Sequence, residues 1–193
     1  VSVLLAPFVS VQIGRIDSFL PVVQTVMSAA DLLTATLLFA QYSVQRNRAL
    51  LSVASGYIFA GSFAFLQTLS FPGSYAPNGL IGDTYNTPAW FFVFWYTTFP
   101  LSILAYALLK DKGQTSRWPT KASIAITLIC VLVVIALLSW VAIREVEHLP
   151  QFFTTGLMVQ TPLSNKFNVG LTLLGCLVLL VLFVRRRSVL DLW

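Results

Sequence analysis

The sequence predicts an all-α integral membrane protein, a polytopic helical bundle with at least five transmembrane helices. Three observations carry this. Of the 193 residues, 57% are hydrophobic and only 10% charged, where a soluble domain carries about a quarter charged residues. The mean hydropathy of +0.82 is too apolar for a chain that faces water on all sides. And five stretches, 19–42, 50–71, 88–109, 122–143 and 167–184, are apolar and close to the length a helix needs to cross the hydrocarbon core.

The elements follow in order. The first stretch is interrupted near its middle by Asp31. The second carries Gly56, Ala60 and Ala64 at four-residue spacing, a pattern that lets helix backbones approach closely. The third holds seven aromatics in its first half, Trp90, Phe91, Phe92, Phe94, Trp95, Tyr96 and Phe99, with Pro100 just below them. Proline cannot donate to the carbonyl four residues back, so a bend is expected there. Val1–Phe8 reads as the tail of a sixth helix and Val189–Trp193 as the opening of another. The expectation is a single domain over 1–193, cut from a longer chain at both ends.

Charge gives the bundle a direction. Arg46, Arg48, Lys110, Lys112, Arg117, Lys121, Arg185, Arg186 and Arg187 sort to one side, against Arg15, Arg144 and Lys166 on the other. By the positive-inside rule the richer side is cytoplasmic. Loops 43–49 and 110–121 and residues 185–187 are then expected inside, and loops 72–87, with Asp83, and 144–166 outside. The net charge of +5 is accounted for by these clusters, so no nucleic-acid partner is implied; the partner is the lipid bilayer. Cys130 and Cys176 both lie within apolar runs, which argues against an extracellular disulfide.

Asp31 is the most informative residue. A carboxylate at mid-membrane depth costs roughly 2.5–3.5 kcal/mol on insertion scales and marks a functional site by default. No Lys or Arg stands inside a span to neutralise it. Gln24, Ser28, Thr34 and Gln41 fall on the same side of the helix, so this stripe faces other helices or a wet cavity. It is either a hydrogen-bonding anchor between helices or the polar floor of a ligand site or proton-responsive switch. The aromatics of the third stretch are likewise either an interfacial belt or an aromatic pocket for a flat or isoprenoid-like ligand. Asp31, Gln41, Tyr57, Trp90, Trp95 and Tyr96 are the candidate ligand or switch residues, with Pro100 as the bend. His148 is the single histidine; one histidine does not make a zinc site, and it is expected to be solvated. The sequence offers no catalytic motif, no metal site and no identifiable cofactor.

Several segments resemble a known family. They are Ile16-Asp17-Ser18-Phe19-Leu20-Pro21, Asp31-Leu32-Leu33-Thr34-Ala35 with Gln41, Arg48-Ala49-Leu50-Leu51, Gly56-Tyr57, Phe71-Pro72-Gly73, Gly79-Leu80-Ile81-Gly82, Ala89-Trp90, Phe94-Trp95, Phe99-Pro100, Tyr106-Ala107-Leu108 and Ser188-Val189-Leu190-Asp191-Leu192-Trp193. Together they resemble the fourth type of membrane-associated sensor (MASE) domain. The resemblance is dense over 7–109 and thin between Lys110 and Arg187. It implies a sensory input domain of the bacterial inner membrane that works as a homodimer and precedes a cytoplasmic GGDEF diguanylate cyclase or histidine kinase. Catalysis would then lie outside this chain. Many relatives carry histidine where Tyr96 stands here, so a histidine-dependent metal or haem site is not carried over. Two rival classes remain. A small-solute transporter or channel would be revealed by flux in proteoliposomes. A membrane-bound electron carrier would show a chromophore in the absorption spectrum.

Overall fold

The computed structural model describes residues 19–82, 85–110, 118–153 and 160–185. Five helices follow one another: α1 Phe19–Gln45, α2 Arg48–Ser70, α3 Asn86–Leu109, α4 Thr120–Arg144 and α5 Pro162–Val184. All five are long and apolar enough to span a membrane. The proposed upstream and downstream helices, together with Asp83, Lys112, Arg117, Arg186 and Arg187, lie outside the described residues.

Each apolar stretch became one helix, with the ends displaced into polar sequence. Hydropathy finds the part of a helix that meets hydrocarbon, but a helix continues until something stops it. α1 therefore runs to Gln45, three residues past its expected end, and α2 starts two residues early. Only Arg46 and Asn47 separate them. Arg46 turns the chain with φ of 52°, and the Asn47 side chain caps α2 by accepting from the Ala49 amide at 3.0 Å. The largest displacement is in α5, which begins at Pro162 rather than at 167. Proline is pre-organised for a first helical position, so Asn165 and Lys166 belong to the helix and not to the preceding loop.

α2 is the centre of the bundle and packs on both α1 and α3, while α5 leans on α3 and α4 on α2 and α3. α4 and α5 are the most apolar helices and the least buried; α2 is the most buried. This inverts the rule for soluble proteins. Lipid is as apolar as leucine, so helices pack through small and polar residues and give their largest aliphatics to the bilayer. α2 shows how. A Cβ on Gly56 would lie 2.8 Å from the Ser102 Cβ of α3, and one on Gly61 would lie 3.0 Å from the Ser28 carbonyl oxygen of α1. Ser28 in turn donates to the Gly61 carbonyl at 2.7 Å. Gln24 donates to Gln67 at 3.1 Å and accepts from Thr68.

The end of the bundle between α2 and α3 is closed by tight turns. Gly73, Gly79 and Gly82 all have φ between 75° and 81°, a region that side chains disfavour. The Leu80 amide donates to the Leu69 carbonyl at 2.8 Å, pinning the loop on the end of α2. A Cβ on Gly79 would also stand 2.5 Å from the Ser70 carbonyl oxygen. Gly79→Ala should therefore cost about 1–3 kcal/mol, read as a lowered melting temperature of the purified protein. Asn86, at the first position of α3, holds the other loop at this end. Its buried carbonyl accepts from the amides of Phe152 and Phe153 at 2.9 and 3.1 Å.

Candidate functional site

The spacing of the α3 aromatics divides them into two sets. Phe92, Trp95, Tyr96 and Phe99 recur at i, i+3, i+4 and i+7, one face of a helix. They line a cleft of about 750 Å3 together with Pro100. The Phe92 and Tyr96 rings lie 4.3 Å apart between centroids, and those of Trp95 and Tyr96 5.1 Å apart. Trp90 and Phe91 belong instead to the core, and Phe94, partly buried, packs against it. Trp90 is buried against Phe94, Phe152 and Phe167, with centroids 5.0–5.9 Å away. One set is packed inside and the other faces a cavity.

The remaining walls come from three helices. α1 contributes Met27 and Asp31, α2 contributes Ala60, and α5 contributes Asn168, Leu171, Thr172 and Gly175. α1 packs on α2 and α5 on α3, so α1 and α5 stand on opposite flanks. Among the described residues no helix closes the side between them. A second cavity of about 360 Å3 shares Phe92 and Asn168 with the cleft and extends from it to Tyr85, Phe153 and Gln160 at the loop end.

Of the residues expected from sequence, Asp31, Trp95, Tyr96 and Pro100 meet in this cleft. Three do not. Trp90 is in the core. Tyr57 packs edge-on against Phe99, 5.3 Å between centroids, and so stands behind the cleft wall. Gln41 lies ten residues beyond Asp31 in α1, nearly three turns further toward the Arg46 end. A helical stripe that long cannot serve one compact site. Asn168 and Thr172 were not anticipated. Their signal was present, two polar residues and Gly175 at i, i+4 and i+7 in an otherwise apolar span.

The stripe on α1 also divides by role. Gln24 and Ser28 make the hydrogen bonds to α2 described above. Thr34 donates only to its own helix, at the Ala30 carbonyl, 2.8 Å. Asp31 contributes its Cβ to the contact with Gly61, but among the described residues its carboxyl has no hydrogen-bond or ion-pair partner. The anchoring is done by its neighbours, and the carboxyl is left to the cleft. The described basic residues lie at helix ends: Arg46 donates to the Trp118 carbonyl, Arg185 to the Ala107 carbonyl, each at 3.3 Å, and Arg144 lies 5.8 Å from the Trp140 ring. His148 is exposed, 3.8 Å from Glu145. Among the described residues no three His, Cys, Asp or Glu side chains come together as a metal site would need.

No curated protein and no solved structure matches the chain. A family does. Residues 15–193 match MASE4, described as a membrane-associated sensor, integral membrane domain, which agrees with five helices long and apolar enough to span a membrane. The chain belongs to this family of membrane-integral sensor domains.

Proposed function

We propose that this sensor domain perceives a small lipophilic ligand in the cleft between α1, α2, α3 and α5 and passes the signal to an attached cytoplasmic output module, such as a diguanylate cyclase or histidine kinase. The observation that carries the reading is the carboxyl of Asp31, near the middle of α1, which shares a cleft with an aromatic wall and has no partner among the described residues. Evolution tolerates such a group in a bilayer where it has work to do. The domain acts as a homodimer in a bacterial inner membrane, because output enzymes of these kinds work in pairs. The gathering of Arg46, Arg48, Lys110, Lys121 and Arg185 at one end supports a cytoplasmic placement of that end. The cleft then opens toward the periplasmic half.

A ligand biases such a domain only through different affinities for two conformations. α3 is suited to report occupancy. It carries five of the cleft residues, and Pro100 among them removes the backbone hydrogen bond to Tyr96. The far end of α3 is held at Ala107 by Arg185, which follows the last residue of α5, so a tilt of α3 against α5 at the cleft reaches the basic end. The test uses the full-length protein in its native membrane. Asp31→Asn and Trp95→Ala should each abolish the dependence of output activity on growth condition while leaving expression and melting temperature near wild type. Output that responds as before in both variants would end the cleft reading.

A further inference from the structure

We infer that the ligand is a lipophilic cation, a hydrophobic ammonium or phosphonium-like molecule that reaches the cleft laterally from the bilayer between α1 and α5. This rests on the cleft being the sensory site and adds the chemistry of what occupies it.

Three observations converge on a cation. First, among the described residues Asp31 carries the acidic group of the cleft, and no basic side chain lines it. The carboxyl has no partner among the described residues, and Arg46, Arg144 and Arg185 are engaged at the helix ends. An ionised carboxylate in hydrocarbon needs a counter-charge, and none of the described residues brings one to the cleft. Second, the facing wall is four aromatic rings, including a tryptophan and a tyrosine, in an array with centroids 4.3 and 5.1 Å apart. Aromatic faces attract cations through the ring quadrupole, tryptophan most strongly. Third, the Thr172 hydroxyl lines the cleft and gives its hydrogen to the backbone carbonyl of Asn168 at 2.8 Å, so its oxygen keeps only acceptor capacity for a ligand. The site is thus negative and electron-rich on several sides.

The same geometry rejects other cations. A metal ion requires several ligands, and one carboxylate with neutral oxygens in an apolar cleft falls short of that. A hydrophilic amine would forfeit its hydration for a largely apolar lining. An amphiphilic or delocalised cation gives up little water, fits a volume of about 750 Å3, and already concentrates in the membrane from which the flank between α1 and α5, closed by no described helix, is reached.

The test is equilibrium binding to the full-length protein in lipid nanodiscs, with empty nanodiscs subtracted. The probes are tetraphenylphosphonium, its neutral analogue triphenylphosphine oxide, and decylubiquinone. Saturable binding of tetraphenylphosphonium alone is expected. It should weaken about tenfold or more in Asp31→Asn and about fivefold in Trp95→Leu, and persist in Asp31→Glu. The glutamate and leucine variants keep the test decisive if the asparagine variant does not fold. No saturable cation binding, or equal binding of cation and neutral analogue, or binding indifferent to Asp31, would overturn the inference. Asp31-dependent cation binding that leaves output activity unmoved would uphold it and count against the sensory role of the cleft. Asp31-dependent output that responds only to a neutral probe would do the reverse.

Discussion

Asn86→Ala should lower the stability of the folded bundle by about 2–4 kcal/mol, since it strands two backbone donors at once and each buried orphan costs roughly 1–3 kcal/mol. The Asn86 side chain is buried and its one carbonyl oxygen accepts from both Phe152 and Phe153. Phe152 is itself buried against Trp90 and Phe167. Losing the bonds therefore also loosens an aromatic cluster that joins α3, α5 and the loop between α4 and α5. Asn86→Asp is the control. It keeps an acceptor of the same reach, and a carboxylate at the N-terminus of α3 gains from the helix dipole, so it should cost far less than alanine. Unfolding in mixed micelles, titrated with dodecyl sulfate and followed by circular dichroism, gives the ranking. Equal losses for the two variants would mean that the bonds do not hold this loop.

Gly61→Leu should cost about 2–3 kcal/mol by overpacking and should also disturb the cleft. The position has no room: beyond the Ser28 oxygen at 3.0 Å, a Cβ there would meet the Asp31 Cβ at 3.2 Å and the Leu32 Cγ at 3.3 Å. A leucine must push α1 away from α2, which breaks the Ser28 bond to the Gly61 carbonyl and carries Asp31 with it. Loss of ligand response should accompany loss of stability. Gly170→Leu separates this from a general effect of bulk. No heavy atom lies within 4 Å of the place a Gly170 Cβ would occupy, so that variant should stay within about 0.5 kcal/mol of wild type. The same unfolding titration compares them; equal effects at both positions would sink the close-approach argument.

The expected small-residue stripe of Gly56, Ala60 and Ala64 shows how far spacing carries. The residues do lie on α2, but they do not serve one neighbour. Gly56 faces Ser102 and Phe99 of α3, and Ala60 opens onto the cleft. The close contact with α1 is made by Gly61, one position off the stripe. A helix at the centre of a bundle has neighbours on several sides, so a four-residue repeat shows which face is small without showing which helix it meets. Asn86 is a further instance. Its partners are 66 and 67 residues away in the chain, and no local pattern names them.

What the sequence determined by itself is the number of described spanning helices, their approximate extents and the presence of a charged group that lipid does not accept. These follow from the bilayer acting as solvent on each segment separately: a run of about 20 apolar residues must form a helix because its backbone has no other hydrogen-bond partners there. What only the tertiary structure decided is how each helix is turned about its axis. That rotation placed Trp95 and Tyr96 in a cleft and Trp90 in the core. It gave the anchoring bonds to Gln24 and Ser28 and placed Asp31 in the cleft with the aromatics. Between helices the hydrophobic effect gives no direction, because either face is equally content in lipid. Rotation is settled by a few close approaches and hydrogen bonds, Gly61 to Ser28 and Gly56 to Ser102 among them, whose partners lie far apart in the chain.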